Sequence, residues 1–461
     1  MNLEKPHARY SETMGKIAKL ISDDSPSLVR VLSDLVEIPS ISSLPQNSKD
    51  VRRSAEYVRD LFASLGMDAE IRVAKNPDGS DGRPAILARK HVGDEFPTVL
   101  LYAHHDVQPI GETSRWKYEP LALTEVGDRL YGRGSADCGM GIIVHYGAMK
   151  HLAKDLPINV TVFIEGEEEV GSPSFENFLE TFKEELRSDV IIVADSNNWT
   201  VDTPALTSSL RGVVDVDVHV KVLEHAVHSG MFGGPILDAV ILASKLIASL
   251  HDDAGNVAVE GLGGTDTADV VWAESDFRRD AGIVPGYELA GEGDLAARVW
   301  TKPAIGVIGM DVRPTAEASN TIAPECSFRL SVRTVPGTAP KDSYEAVKRH
   351  LEKNRPFGVE MTVTSGEQGP GYLATDGDAS KRFALSLKEA WGTDPVSIGV
   401  GGSIPFISTF AEAFPSAEIL VTGVEDPASN AHSEDESASR FVLERATIAE
   451  ALFLESLATS K

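Results

Sequence analysis

An apolar run rich in β-branched side chains, Val160, Val162, Phe163 and Ile164, ends in Glu165, Gly166, Glu167, Glu168 and Glu169. The run reads as a buried strand. Carboxylates gathered at its end repel one another, and each costs several kcal/mol if desolvated without a partner. A cation held there would relieve both costs. The question is which other side chains would share it.

Two further apolar runs end in the same way. Thr98–Ala103 (TVLLYA) leads into His104, His105 and Asp106, and Asp189–Ala194 (DVIIVA) leads into Asp195. In parallel α/β sheets, ligands bind beyond the carboxyl ends of the strands. Ordinary loop polarity explains one such ending. Three of them, with Asp137 inside the glycine-rich stretch GRGSADCGMG at 132–141, point to a shared metal site. Imidazoles and carboxylates without a cysteine cluster suit borderline or hard divalent ions such as Zn, Co or Mn. Structural zinc prefers closed, Cys-rich tetrahedra, so this donor set favours a catalytic role. One Asp between two ions about 3.5–4 Å apart would make a two-metal hydrolytic site.

The elements that would carry these residues follow from composition and periodicity. The chain has 461 residues, 42% hydrophobic and 25% charged, enough for two domains with a sizeable core. Its net charge of −27 excludes nucleic acid and anionic membrane as main partners. Two cysteines, Cys138 and Cys326, make neither a disulfide framework nor a Cys-rich zinc site and suggest a reducing compartment. The N-terminus lacks an apolar signal core, and no stretch reaches about 18 uninterrupted apolar residues. The expected location is cytoplasmic.

Helical spacing is predicted for Ser27–Ile38 after a polar, partly helical lead-in, and for Val51–Leu65. Strands are expected at Met67–Val73 and Ala85–Lys90, a crossover helix at Ile142–Leu152, and a helix at Phe175–Leu186. After Leu210-Arg211-Gly212 the pattern changes. Val213–Val222 alternates, with Val214, Val216, Val218, Val220 and Val222 on one face and Asp215, Asp217, His219 and Lys221 on the other. A long helix over Gly234–His251, a helix over Asp342–Lys353, and strands at Pro303–Met310, Cys326–Val332 and Val359–Ser365 would complete a two-helix, four-strand α+β unit, with loops and short helices over 253–300. From about Asp376 the α/β pattern returns: helix Lys381–Trp391, a glycine-rich turn at Gly399–Phe406, strand Ala417–Val424 and a closing helix Arg440–Leu457. The expected organisation is an α/β domain with a central mixed sheet flanked by helices, made of 1–211 and 376–461, with an α+β domain at 212–375 inserted into it.

In order along the chain stand YAHHDVQP (102–109), YGRGSADCGMG (131–141), EGEEEVGS (165–172), Asp195 after its strand, HSGMFGG (228–234), GGSIP (401–405) and Asn430-Ala431-His432. The ordered set resembles the M20 family of metallopeptidases, most closely the dipeptidase branch. The resemblance implies two divalent ions, zinc foremost with Mn or Co as alternatives. His104 and Asp195 would hold one ion and Glu169 and His432 the other, with Asp137 bridging. Glu168 would be the general base toward the attacking water, and Asp106 would orient His104. His228 would supply an oxyanion donor to the other subunit of a homodimer formed through the inserted, ferredoxin-like lid. Arg333 would take the substrate carboxylate, as a bidentate guanidinium can, with Arg211 a weaker choice, and Asn320, Gly402 and Ser403 would line the same pocket. The implied activity is hydrolysis of a dipeptide or short peptide with a free carboxylate. An N-acyl-amino-acid deacylase or desuccinylase would use the same machinery, and a silent peptide-binding relative would not need Glu168.

Some positions depart from the family wording. Cys138 is followed by Gly139-Met140-Gly141 where the family has Lys-Gly, and Gly399-Val400 replace the Arg-Glu of dipeptidase relatives. The bond Asp137–Cys138 is expected to be cis. His105 is read as structural, and Cys138 lacks an activating His and is not a nucleophile.

Overall fold

The computed structural model describes residues 5–152, 156–402 and 405–458. The chain forms two compact units. One comprises the chain up to Thr207 with Ala374–Ser397 and the chain from Thr409; the other comprises Ser208–Leu373 with Ile398–Ser408. The glycine-rich segment after Ser397 thus belongs with the second unit, whereas the sequence reading assigns it to the first.

The first unit is a mixed sheet flanked by helices. Four neighbouring strands run parallel in the order Asn159–Glu165, Thr98–His104, Val190–Asn197 and Glu418–Glu425. Ala85–Lys90 pairs antiparallel with Asn159–Glu165 and carries Asp68–Arg72 at its outer edge. Every residue of Asn159–Glu165 is buried, as expected of a central strand covered on both faces. Helix Gly139–His151 is buried along nearly its whole length, because Arg440–Ala458 and the N-terminal helix pack around it. Within this core His145 places Nδ1 2.8 Å from Glu450 Oε2 and Nε2 3.0 Å from the Tyr102 carbonyl, which ties helix to strand two residues before His104.

The N-terminal helix runs unbroken over Lys5–Val36 and passes through Pro26, where the sequence suggests a helix beginning only at Ser27. Proline removes one backbone hydrogen bond, but burial of Ile21, Leu28, Leu32 and Leu35 on one face outweighs that loss.

In the second unit four antiparallel strands lie in the order Ala304–Met310, Glu325–Thr334, Gly212–Lys221 and Glu360–Gly369. Helices Ala239–Ala248 and Pro340–Lys353 cover the face bearing Val214, Val216, Val218 and Val220, all 1% exposed or less. This is the predicted two-helix, four-strand sandwich with ferredoxin-like strand order. The long helix expected over Gly234–His251 is shorter, Ala239–Ala248. Asp238 starts it by accepting the Ile241 N–H at 2.8 Å, a side-chain cap that fixes the first turn. Among the described residues no helix is long and apolar enough to cross a membrane.

Candidate metal centre

His104 closes the strand Thr98–His104 and is registered beside Glu165. Its ring is fully buried. Nε2 lies 3.0 Å from Asp137 Oδ1 and 3.6 Å from Asp195 Oδ1. On the other side Nδ1 sits 3.1 Å from the Asp106 carbonyl and 3.4 Å from its Oδ1. The Asp106 carboxylate also accepts the Glu168 N–H at 3.2 Å and the Glu169 N–H at 3.1 Å. One buried carboxylate therefore orients an imidazole and fixes the short 3-10 turn Glu168–Val170. Asp106→Asn is expected to weaken metal binding by about 10–100-fold, measured by competition with a chelating dye. An unchanged dissociation constant would contradict this role.

His432 arrives from the loop after strand Glu418–Glu425, in a left-handed conformation with φ +63°. Its Nε2 lies 2.8 Å from Asp137 Oδ2 and 3.1 Å from Glu169 Oε2. Asp137 thus turns each carboxylate oxygen to a different imidazole. Donor atoms of His104, Cys138 and Asp195 lie within 4.8 Å of one another, as do those of Asp137, Glu169 and His432. Glu169 Oε2 also accepts Gln108 Nε2 at 2.7 Å, while its buried Oε1 has no partner among the described residues. Two nitrogen donors, converging carboxylates and an orphaned buried oxygen fit a divalent cation. The Asp137–Cys138 peptide is cis. The Cys138 thiol donates to the Ala194 carbonyl at 3.1 Å, and burial pushes its pKa well up, which suits a structural thiol better than a nucleophile.

The electrostatics mark the same place. Burial pulls the His104 pKa down, but Asp195, Asp106 and Asp137 hold it well above the ordinary imidazole range. Hydrogen bonds to Asp137 and Glu169 push His432 up to about 11. Burial, then the neighbouring carboxylates, raise Glu168 and Glu169. Asp137 is held below the usual carboxylate range, because its bonds to His104 and His432 overcome burial. Divalent ions would balance these acids directly.

Two acids escape the sequence reading. Glu436, fully buried, accepts the N–H groups of Ala136 at 3.0 Å and Asp137 at 3.1 Å through Oε1, and pairs with Arg133 at 2.5 Å through Oε2. It fixes the backbone of Asp137 from behind. Its signal was its position four residues after His432. Glu425 closes the fourth parallel strand beside Asn197 and is 6% exposed. Burial, then Asp137 and Asp195, raise its pKa well above the carboxylate range. A fourth apolar strand ending in an acid was legible in the sequence. Glu165 and Glu167 are scaffold: the first accepts the Tyr102 hydroxyl at 2.7 Å, the second the N–H groups of Arg83 at 2.8 Å and Ser174 at 2.7 Å. His105 is structural as well, with Nε2 2.8 Å from the Pro84 carbonyl.

The other predicted site residues lie in the second unit. Val227–His228 pairs with Thr321–Ile322, and the Ser229 N–H donates to the Asn320 carbonyl at 3.0 Å, so His228 and Asn320 are neighbours. His228 is exposed, and its Nδ1 accepts the Gly230 N–H at 3.1 Å. A neutral imidazole accepting at Nδ1 carries its proton on Nε2. Arg333 stands near the end of Glu325–Thr334, registered against Val213. Gly402 has open space where a Cβ would stand. Ser403 lies outside the described residues.

Comparison with known proteins places this geometry. The model of peptidase family M20/M25/M40 matches residues 100–456. The cysteinylglycine-S-conjugate dipeptidase of Corynebacterium striatum is 34% identical over 92% of this chain and 94% of its own length. The beta-Ala-His dipeptidase of Rattus norvegicus is 27% identical over 98% and 97%. Among solved structures, human carnosine dipeptidase 1 superposes with a TM-score of 0.74 at 24% identity, covering 96% of this chain and 98% of that one. The chain belongs to the peptidase family M20/M25/M40.

Proposed function

We propose that the protein hydrolyses the amide bond of dipeptides and short peptides bearing a free carboxylate, using two divalent ions, zinc foremost with Mn or Co as alternatives. His104 and Asp195 would hold one ion, Glu169 and His432 the other, and Asp137 both. The observation that carries this reading is the Asp137 carboxylate, with one oxygen toward each imidazole and Glu168 near enough to feel its charge. When bound, such ions polarise the scissile carbonyl and bring the pKa of water near 7. The Glu168 carboxylate accepts no hydrogen bond among the described residues, although its backbone is fixed through Asp106. A carboxylate so placed takes a proton from the attacking water and delivers it to the leaving amine nitrogen.

His228 would donate from Nε2 to the oxyanion, in the partner subunit of a homodimer built through the second unit. Two features support that interface. The edge strand Ala304–Met310 has one sheet neighbour, and it exposes Val307 by 42% and Ile308 by 60%, a composition that invites strand pairing. His228→Ala is expected to cut kcat by about 10²–10³-fold with metal content unchanged. Equimolar mixing with Glu168→Gln subunits should restore part of the activity, and no restoration after proven subunit exchange would overturn the shared site. The free, buried Cys138 and Cys326 accord with a cytoplasmic protein. The test of the whole reading is a panel of dipeptides beside N-acetyl- and N-succinyl-amino acids, with Zn, Mn or Co. Preference for the acylated set would make the enzyme a deacylase.

A further inference from the structure

The second unit brings the side chains of Arg211 and Arg333 near enough for one charge to act on the other, and neither has an acid partner among the described residues. Arg211 precedes Val213 by two residues, and Val213 is the strand partner of Arg333. Arg211 is only 8% exposed. Its Nε donates to the Gly401 carbonyl at 3.0 Å and its Nη1 to the Lys302 carbonyl at 3.3 Å, while its own backbone N–H donates to the Val400 carbonyl at 3.2 Å. Its Nη2 lies 2.9 Å from the point where a Cβ on Gly401 would stand. Among the described residues, neither Arg211 nor Arg333 forms an ion pair. Burial, and then the charge of Arg333, pull the Arg211 pKa down to about 10, which leaves it charged at neutral pH.

Buried guanidinium groups are ordinarily neutralised by a carboxylate. Here the fold brings a second cation instead and ties the first to a glycine-rich turn through backbone carbonyls. An un-neutralised fork tied to a turn with little side-chain bulk, with a second guanidinium nearby, is suited to a planar anion.

We propose that Arg211 is a positioning residue that binds the Gly401–Gly402 turn to the Arg333 guanidinium as one acceptor site for the substrate carboxylate, and so selects peptides with a free carboxyl end. The proposal rests on the reading, under Proposed function, that the substrate carries a free carboxylate, and it takes Arg333 as the group that receives it. Arg333 would contact the carboxylate. Arg211 would act through it, by adding charge and by fixing the turn.

The test compares Ala-Gly with its C-terminal amide on metal-loaded enzyme. In Arg211→Met the acid-to-amide ratio of kcat/KM should fall by about tenfold or more, through KM for the acid, with kcat changed less than about threefold. Arg211→Lys, which keeps the charge but not the paired carbonyl bonds, should restore part of the ratio. Gly401→Ala keeps the arginine and should lower the ratio by displacing it, which covers the case in which Arg211→Met fails to fold. Calorimetric binding of both ligands to Glu168→Gln, with and without Arg211→Met, should show the same loss for the acid alone. A ratio unchanged in all three variants, or an equal loss of kcat for acid and amide, would overturn the proposal. If the parent enzyme cleaves no dipeptide and Glu168→Gln binds none, the reading of Arg333 falls, and this proposal with it.

Discussion

Glu168→Gln is expected to lower kcat by about 10²–10⁴-fold while the protein keeps its metal and its affinity for substrate. The amide preserves the shape of the carboxylate and the backbone bond to Asp106, so the turn carrying Glu169 should stay in place. What disappears is the oxygen able to hold a proton between water and leaving amine, a function worth 10²–10⁴-fold in general acid–base catalysis. Burial, then the surrounding acids, raise the Glu168 pKa above the ordinary carboxylate range, the direction in which a proton carrier is tuned. Metal analysis of the purified variant, with kcat and KM for one dipeptide, checks it. A loss of less than tenfold, with full metal content, would remove Glu168 from the proton path.

Metal removal should have the second large effect, abolishing activity and destabilising the protein in a pH-dependent way. Ligand present at about a thousandfold above its dissociation constant stabilises by about 4 kcal/mol per site, which corresponds to a Tm loss on the order of 10 °C on stripping. The sign of the pH dependence follows from the metal-free site. His104 is held charged and His432 titrates only at about 11. Glu168 and Glu169 are raised above the ordinary carboxylate range. Above its unfolded pKa, 4.5 for the glutamates and 6.5 for the imidazoles, each group keeps its proton longer folded than unfolded, so over this window metal-free stability falls as pH rises. Asp137 shifts the other way, but in an acid range below this window. Metal binding must displace the imidazolium protons, so affinity should rise with pH. Calorimetric scans of stripped and loaded protein at pH 5.5 and 8.5 should show a wider Tm gap at the higher pH. A gap that narrows would show that these side chains do not hold the ion.

Much of the candidate site was legible because the residues it gathers sit where strand ends are easy to read. His104, Asp195 and the glutamates each follow a continuous apolar run, and the sheet brings those ends together by its parallel order. Asp137 and His432 were legible only as parts of motifs, since neither ends a strand. Glu436 ends no strand, and its bond to the Asp137 N–H is made by folding back across 299 residues of chain; Glu425 ends the strand Glu418–Glu425, a signal the sequence does carry. In the fold, strands of strict alternation such as Gly212–Lys221 were read to within a residue or two. The strands Ala205–Leu210 and Val396–Val400 and the helix Pro405–Ala413 were missed. They are short, and the glycine-rich wording of 399–403 masks the transition from strand to helix. The helix Ala239–Ala248 was over-extended because apolar spacing continues past both ends, while Asp238 and the left-handed Gly234 fix where the helix can start.

The decisive measurement is a titration of metal-stripped protein with Zn, Mn or Co while dipeptide turnover is followed, beside the same titration of Glu168→Gln. Activity should rise to a plateau at about two ions per chain, with the variant binding the same number of ions and remaining silent. Turnover that persists in stripped protein, or a plateau reached without either ion binding to the wild-type site, would contradict it.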